Sequence, residues 1–144
     1  MTIAAILKHK GHAVVTIDAT ATVPEIAAKL TEHRIGAVLV MDRADQLLGV
    51  VSERDIVRSI ATNGARTLEM TSGQLMTRAI HLAHPEMTVE EAMLKMTVGR
   101  VRHLPVIQNG AVVGLVSIGD VVKSRIIRQD AEVDSLKAYI GGAG

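Results

Sequence analysis

The chain predicts a mixed α+β fold built from two copies of one small unit, each a short sheet flanked by two helices. Three observations carry that reading. Gly49-Val50-Val51-Ser52-Glu53-Arg54-Asp55 returns as Gly114-Leu115-Val116-Ser117-Ile118-Gly119-Asp120, with Gly, Ser and Asp in register at an offset of 65. Residues 22–41 laid on 88–107, at an offset of 66, match at Thr22, Val23, Glu25, Lys29, Thr31, Arg34 and Val40. Apolar spacing also switches from helical to strand-like in the same order in both copies. The one-residue change of offset falls between Asp42-Arg43-Ala44-Asp45-Gln46 and the shorter Gln108-Asn109-Gly110. A hairpin loop tolerates such a deletion. The division that follows is 1–72 for the first copy, with an N-terminal helix and a linker, and 73–144 for the second, with a helical extension.

In chain order, Thr2 to Lys8 reads as a short helix stopped at Gly11. Short strands, Ala13–Ile17 and Ala79–Leu82, lead into the two copies. A helix then begins near Pro24-Glu25 with Thr22 as its cap, and near Glu90-Glu91 with Thr88 as its cap. Ile26, Ala27 and Leu30 form one apolar stripe; Ala92, Met93 and Met96 form its counterpart. The strands Ala37–Met41 and Leu47–Val51 follow, matched by Leu104–Ile107 and Val112–Val116. Each copy closes on a second helix, carrying Ile56, Val57 and Ile60, or Val121, Val122 and Ile126. Thr62–Ser72, with Asn63-Gly64, reads as a linker or loose helix. Residues 127–140 continue as a helix that frays into the terminal glycines.

Composition narrows the function. Among 144 residues, 48% are hydrophobic and the mean hydropathy is +0.28, but Tyr139 is the sole aromatic, so the core is aliphatic and filled by methionine. A formal charge of +1 argues against a polyanionic partner, and the missing aromatics remove the stacking platforms of single-strand nucleic-acid binders. With no cysteine there is neither a disulfide nor a thiolate metal site, which fits a reducing cytoplasm. No apolar run approaches the length of a membrane span, and the N-terminus has no signal-peptide pattern. A soluble cytoplasmic protein is expected.

The repeated stretch is where chemistry concentrates. A Gly and two apolar residues end a strand; the Ser stands at a helix start and the Asp one turn inside. For a single copy, a cap is the simpler explanation. Two copies in register suggest two related clefts, each offering a hydroxyl, a carboxylate and helix-start N–H groups. A ribose diol can give two hydrogen bonds to one carboxylate, and a phosphate suits a helix start. No nucleophile–base–orienter set accompanies Ser52 or Ser117, so no catalytic residue is assigned and an enzyme is the weaker reading. His81 and His84 lack further ligands, so no metal is expected. His9, His12 and His33 read as surface residues, and Lys123, Arg125 and Arg128 as a solvated helix face.

The duplicated helix–strand–strand–helix unit ending in Gly-φ-φ-Ser-x-x-Asp resembles a tandem pair of cystathionine-β-synthase (CBS) domains, or Bateman module, over roughly Ala13 to Arg125. The resemblance implies two pseudo-two-fold related CBS repeats and a regulatory module that binds adenosine nucleotides: AMP foremost, or ADP, ATP, NAD(H) or S-adenosylmethionine. It also implies a disc-shaped homodimer acting on an unknown effector protein in trans, without nucleic acid or membrane as a partner. Carried over, Asp55 and Asp120 hold ribose and Ser52 and Ser117 face phosphate. Ile35, Gly36, Ala37, Val101, Arg102 and His103 line the adenine pockets, with Ala13 and Thr77 to Ala79 nearby. Arg54, Arg102 and His103 stand where the family places basic groups against phosphate. Gly36-Ala37 opposite Arg102-His103, and Gly119 opposite Arg54, make the halves unequal. A dimerisation scaffold with empty clefts is the alternative.

Overall fold

Thr22 and Thr88 start equivalent helices by the same device. Each threonine is extended, and its hydroxyl accepts the amide of the residue three places on, Glu25 or Glu91. The helices α2 (Val23–His33) and α5 (Val89–Gly99) both end on an arginine in the left-handed region, Arg34 at φ 54° and Arg100 at φ 53°. The next amide then closes the end, Ile35 N–H onto Leu30 O and Val101 N–H onto Met96 O. The computed structural model that shows this describes residues 1–79 and 81–143.

The first sheet runs β1-β2-β3-β4: β1 (Thr16–Asp18) parallel to β2 (Ala37–Met41), then β3 (Leu47–Ser52) and β4 (Thr77–Arg78), each antiparallel to its neighbour. The second sheet is the hairpin of β5 (His103–Gln108) and β6 (Ala111–Ser117), with a parallel bridge from Val106 to Ala83 standing where β1 stands in the first. Its turn uses Asn109 and Gly110, both at positive φ, which suits a tight hairpin. Helix α3 (Glu53–Asn63) leaves β3, and α6 (Ile118–Ala143) leaves β6. Lys29 and Lys95, matched across the copies, hold the leading segments: their ammonium groups donate to Thr16 O at 2.7 Å and Leu82 O at 2.6 Å.

Packing crosses chain order. The first core joins Ile17, Val23, Ile26, Val38, Val40 and Val51, and Leu75 and Met76 pack on it from α4 (Ser72–Leu75) and the residue after it. The second core joins Val89, Ala92, Leu104, Val106, Val116 and Val121 with Ile3, Ile6 and Leu7 of α1 (Ile3–Lys10), which comes from the far end of the chain. Paired threonine caps mark the correspondence, with a bridge between Thr22 and Thr71 and another between Thr2 and Thr88. Thus α1 does for the second copy what α4 does for the first.

Several local expectations change. The first leading strand covers Thr16–Asp18 rather than Ala13–Ile17. The strand placed at Ala79–Leu82 lies earlier: Thr77 and Arg78 pair with β3 as the first sheet's edge, and the chain meets the second sheet only at Ala83. Ile80, within that span, and Gly144 lie outside the described residues. The segment between the copies is ordered into a 3-10 turn over Gly64–Glu69, pinned by the Ser59–Thr67 hydroxyl pair at 2.8 Å, and then α4. Val57, Ile60, Val122 and Ile126 are exposed, so those helices present apolar faces outward. Helix α6 runs unbroken to Ala143 rather than fraying at Gly141.

Candidate functional site

The two strand–helix junctions share one arrangement. Ser52, extended, caps α3: Asp55 Oδ2 accepts the Ser52 amide at 2.8 Å and its hydroxyl at 3.0 Å, and the Asp55 amide donates back to Ser52 Oγ. Asp120 Oδ2 accepts the Ser117 amide and hydroxyl at the same 2.8 and 3.0 Å, and its amide donates to Ser117 Oγ. The first helical amide of each is bound as well, Glu53 N–H to Gly36 O and Ile118 N–H to Arg102 O. These bonds hold both junctions rigid. They also commit the serine protons and three amides of each helix start to the fold.

At the first junction a cavity of about 230 Å³ opens between the two copies. Of the candidate residues, Ser52, Arg54, Asp55, Gly36, Val101, Arg102, His103, Thr77 and Ala79 line it. Asp55 Oδ1 meets only a long hydrogen bond from the Thr77 hydroxyl, 3.3 Å, among the described residues. Arg58, Arg78 and Arg100 join Arg54 and Arg102 in the walls, against Glu53 and Asp55 as the acids. With five arginines against these two acids, the cavity is cationic. Ile35 packs on the first core, Ala37 is buried in β2 and Ala13 is exposed; none of the three lines this cavity.

The second junction is occupied by its own chain. Lys10, at the end of α1, donates to Asp120 Oδ2 at 2.6 Å and to Leu115 O at 2.7 Å. His12 Nδ1 lies 2.9 Å from Val113 O on the same strand. Burial pushes the Asp120 carboxyl up, but hydrogen bonds from Lys10 and Ser117 and the Lys10 charge outweigh it and hold the group below its ordinary value. Asp120 lines a separate hollow between α1 and α6, walled by Met1, Ile6, Lys10, Lys123 and Ile127. Ser117 lines neither hollow.

His103 sits between the junctions. Burial pushes its imidazole down, the Lys10 charge adds to this, and Asp120, Glu53 and Asp55 oppose it. A side chain at Gly36 would meet Glu53 Oε1 at 3.3 Å and His103 Nε2 at 3.8 Å, so the bare glycine lets these groups approach. His81, read above only as a rejected metal ligand, lies against Gly99 and lines the cavity. Arg58 is one helical turn beyond Arg54, a spacing that marked it for the same face. Arg78 falls within the Thr77 to Ala79 stretch that the resemblance placed nearby, though not as a basic group, and it comes from the edge strand β4. Arg100 carried no comparable signal, because a helix end brought it in.

Two stretches, residues 10–62 and 73–126, each match the family model described as "CBS domain". A CBS-domain containing protein, ATU1752 from Agrobacterium tumefaciens, superposes with a TM-score of 0.83 at 40% identity, covering 86% of this chain and 92% of that one. PAE2072 from Pyrobaculum aerophilum, solved with AMP, superposes at 0.73 with 28% identity over 83% and 89%. The CBS domain pair of MJ0100, solved with 5-methylthioadenosine and S-adenosyl-L-methionine, gives 0.76 at 25% identity over 90% and 98%. The mitochondrial CBS domain-containing protein CBSX3 of Arabidopsis thaliana is 38% identical over 84% of this chain, which spans 61% of that relative's length. No described helix is long and apolar enough to cross a membrane.

Proposed function

The chain belongs to the CBS-domain family, and from that membership we propose that it is a regulatory module that binds an adenosine nucleotide in the Asp55 cavity. The observation that carries the reading is Asp55 itself: Oδ2 is spent on the helix cap while Oδ1, among the described residues, accepts only a long bond from Thr77, inside a cavity walled by five arginines. A ribose hydroxyl donates to that oxygen in place of Thr77, as a charge-assisted bond. The phosphates go to Arg54, Arg58 or Arg102 rather than to the helix start, whose amides are already bound. Val101 and Ala79 offer apolar surface to the purine. Ligands of relatives share adenosine and differ at the 5′ end. A cationic cavity favours AMP, ADP, ATP or NAD(H) over the sulfonium of S-adenosylmethionine, and AMP is the first choice.

The module works without catalysis: the Ser52 amide and hydroxyl are both spent on Asp55 Oδ2 in the helix cap, and no group orients that carboxylate as a base among the described residues. It acts in the cytoplasm, as a homodimer, on an effector protein in trans. Ligand bridging β3–α3 and the start of β5 would shift the two copies relative to each other and supply the signal.

Calorimetric titration tests this. AMP is expected to bind, and Asp55→Asn, which keeps a capping oxygen, to lower affinity about 30-fold, the size of one lost charge-assisted bond. S-adenosylmethionine is expected to bind more weakly than AMP. Unchanged AMP affinity in Asp55→Asn would remove the reading. A folded protein that binds none of these compounds would leave the scaffold alternative in its place.

A further inference from the structure

Helix α6 leaves the second core near Val121 and continues to Ala143, with every residue from Gln129 to Ile140 exposed. Its apolar residues are not scattered. Val122, Ile126, Val133, Leu136 and Ile140, together with Gln129, follow one another at alternating spacings of four and three. That is the seam of a heptad repeat, with Ile126, Val133 and Ile140 at a and Val122, Gln129 and Leu136 at d. Leu136 is 60% and Ile140 63% exposed. Nothing else among the described residues covers them.

We propose that this segment pairs with the same segment of a second copy as a parallel, in-register two-stranded coiled coil. Charge selects that partner and that direction. In the parallel register, g residues face the e residues of the following heptad on the other helix. Arg125 meets the partner's Asp130, and Glu132 meets the partner's Lys137; both pairs attract and both occur twice. The fully overlapped antiparallel pairing sets Lys123 against Lys137, and Asp130 and Glu132 each against its own copy, all repulsive. Gln129 agrees: a second copy in register brings an identical amide to the one polar layer, where two Gln side chains bond each other, while an apolar partner would leave it unpaired. Within one chain Arg125 pairs with Glu90 at 3.5 Å and Glu132 with Arg128 at 3.4 Å. Exposed pairs of that kind are weak and exchange readily. The a positions are β-branched and one of the d positions is Leu, the choice that favours two strands. The seam is under three heptads long, so the pairing is weak alone and best detected by trapping. The inference does not depend on nucleotide binding.

This chain contains no cysteine, so one introduced thiol reports on its own surroundings. Leu136→Cys places a thiol at d, where in-register pairing brings two β-carbons within disulfide reach; Ala131→Cys, at f, faces solvent. Under mild oxidation Leu136→Cys is expected to form a linked dimer about tenfold faster than Ala131→Cys, from the raised local concentration. Adding Glu132→Lys to Leu136→Cys should slow linking, and adding Lys137→Glu to both should restore it. Equal rates for the two thiols overturn the pairing. A charge-swapped variant that links no faster than Glu132→Lys alone overturns its parallel register.

Discussion

Asp55 and Asp120 cap their helices with the same bonds at the same distances, yet what leans on each carboxylate differs. At Asp55 the neighbour is the hydroxyl of Thr77, which leaves the negative charge intact. At Asp120 it is the Lys10 ammonium, which neutralises it. The difference arises because the supporting segment is borrowed from elsewhere in the chain. After α4 the chain turns into the edge strand β4; α1, in the equivalent place, stays helical to Lys10 and points that side chain at β6. Duplication preserved the part that makes the fold, the cap, and left the clefts free to diverge through segments outside the repeat. One carboxylate faces an open, cationic cavity; the other is paired with the chain's own cation at the edge of a separate hollow.

The sharpest way to break the comparison is at the repeated glycines. A β-carbon on Gly49 would lie 2.5 Å from Thr77 O, a backbone atom locked in the β3–β4 ladder. On Gly114 it would lie 2.6 Å from Leu7 Cδ2, the end of a buried core side chain, which can yield by repacking where a paired backbone cannot. Overpacking costs about 1–3 kcal/mol. Gly49→Ala is expected at about 3 kcal/mol and Gly114→Ala at about 1 kcal/mol, measured by urea unfolding. Equal losses would mean that the two supports yield alike and that the asymmetry is superficial.

Lys10→Met sharpens it next. The pair is partly exposed, with side chains 38% and 23% accessible, so its loss should cost no more than about 1 kcal/mol and less at high salt. Its pH dependence has a definite sign. The folded Asp120 carboxyl lies below its ordinary value, so the stability it contributes is complete above the unfolded value, about 3.9, and disappears as pH falls through the folded one. Native and Lys10→Met proteins should therefore differ at pH 7 and converge near pH 2 in thermal melts. A gap that persists in acid would show that Lys10 acts by packing. Lys10→Met should also raise AMP stoichiometry from one towards two per chain; a value unchanged at one would mean that uncovering the carboxylate is not enough to make a second site.

Much of this was legible in the residues. Thr22, Thr88, Ser52 and Ser117 are read directly as caps, because a cap is a local interaction among four consecutive residues. The hairpins follow from their apolar runs and from Asn109-Gly110. What could not be read is what the chain brings from a distance. Nothing in Met1 to Lys10 says that this helix completes the second core, or that Lys10 reaches a carboxylate 110 residues away. The Thr77–Arg78 edge strand is two residues long, too short for any periodicity. Arg100 enters the cavity through a helix end rather than a motif, and the charge of Arg78 enters from a stretch read only as nearby. The apolar residues of α3 and α6 were visible as stripes, but a stripe does not say whether it turns inward or outward.

The smallest effect separates fold from function at one matched pair. Arg34 and Arg100 both close a helix in the left-handed region, where a β-carbon is strained and glycine is not. Arg34→Gly and Arg100→Gly should each stabilise by about 0.5–1 kcal/mol, the strain relieved less the extra freedom gained by the unfolded chain. For a chain of this size that is a rise in Tm of about 3 °C. Binding should divide them. Arg100 lines the cavity beside Asp55, whereas Arg34 is exposed outside it. Arg100→Gly removes one positive charge from the wall of the cavity and should weaken AMP several-fold, more at low salt, while Arg34→Gly leaves affinity unchanged. A strained arginine kept at position 100 would then be explained by its ligand, and the same residue at position 34 only by its descent from the duplicated ancestor. If both variants bind AMP equally well, the arginine ring around Asp55 is a feature of the fold and not of the site.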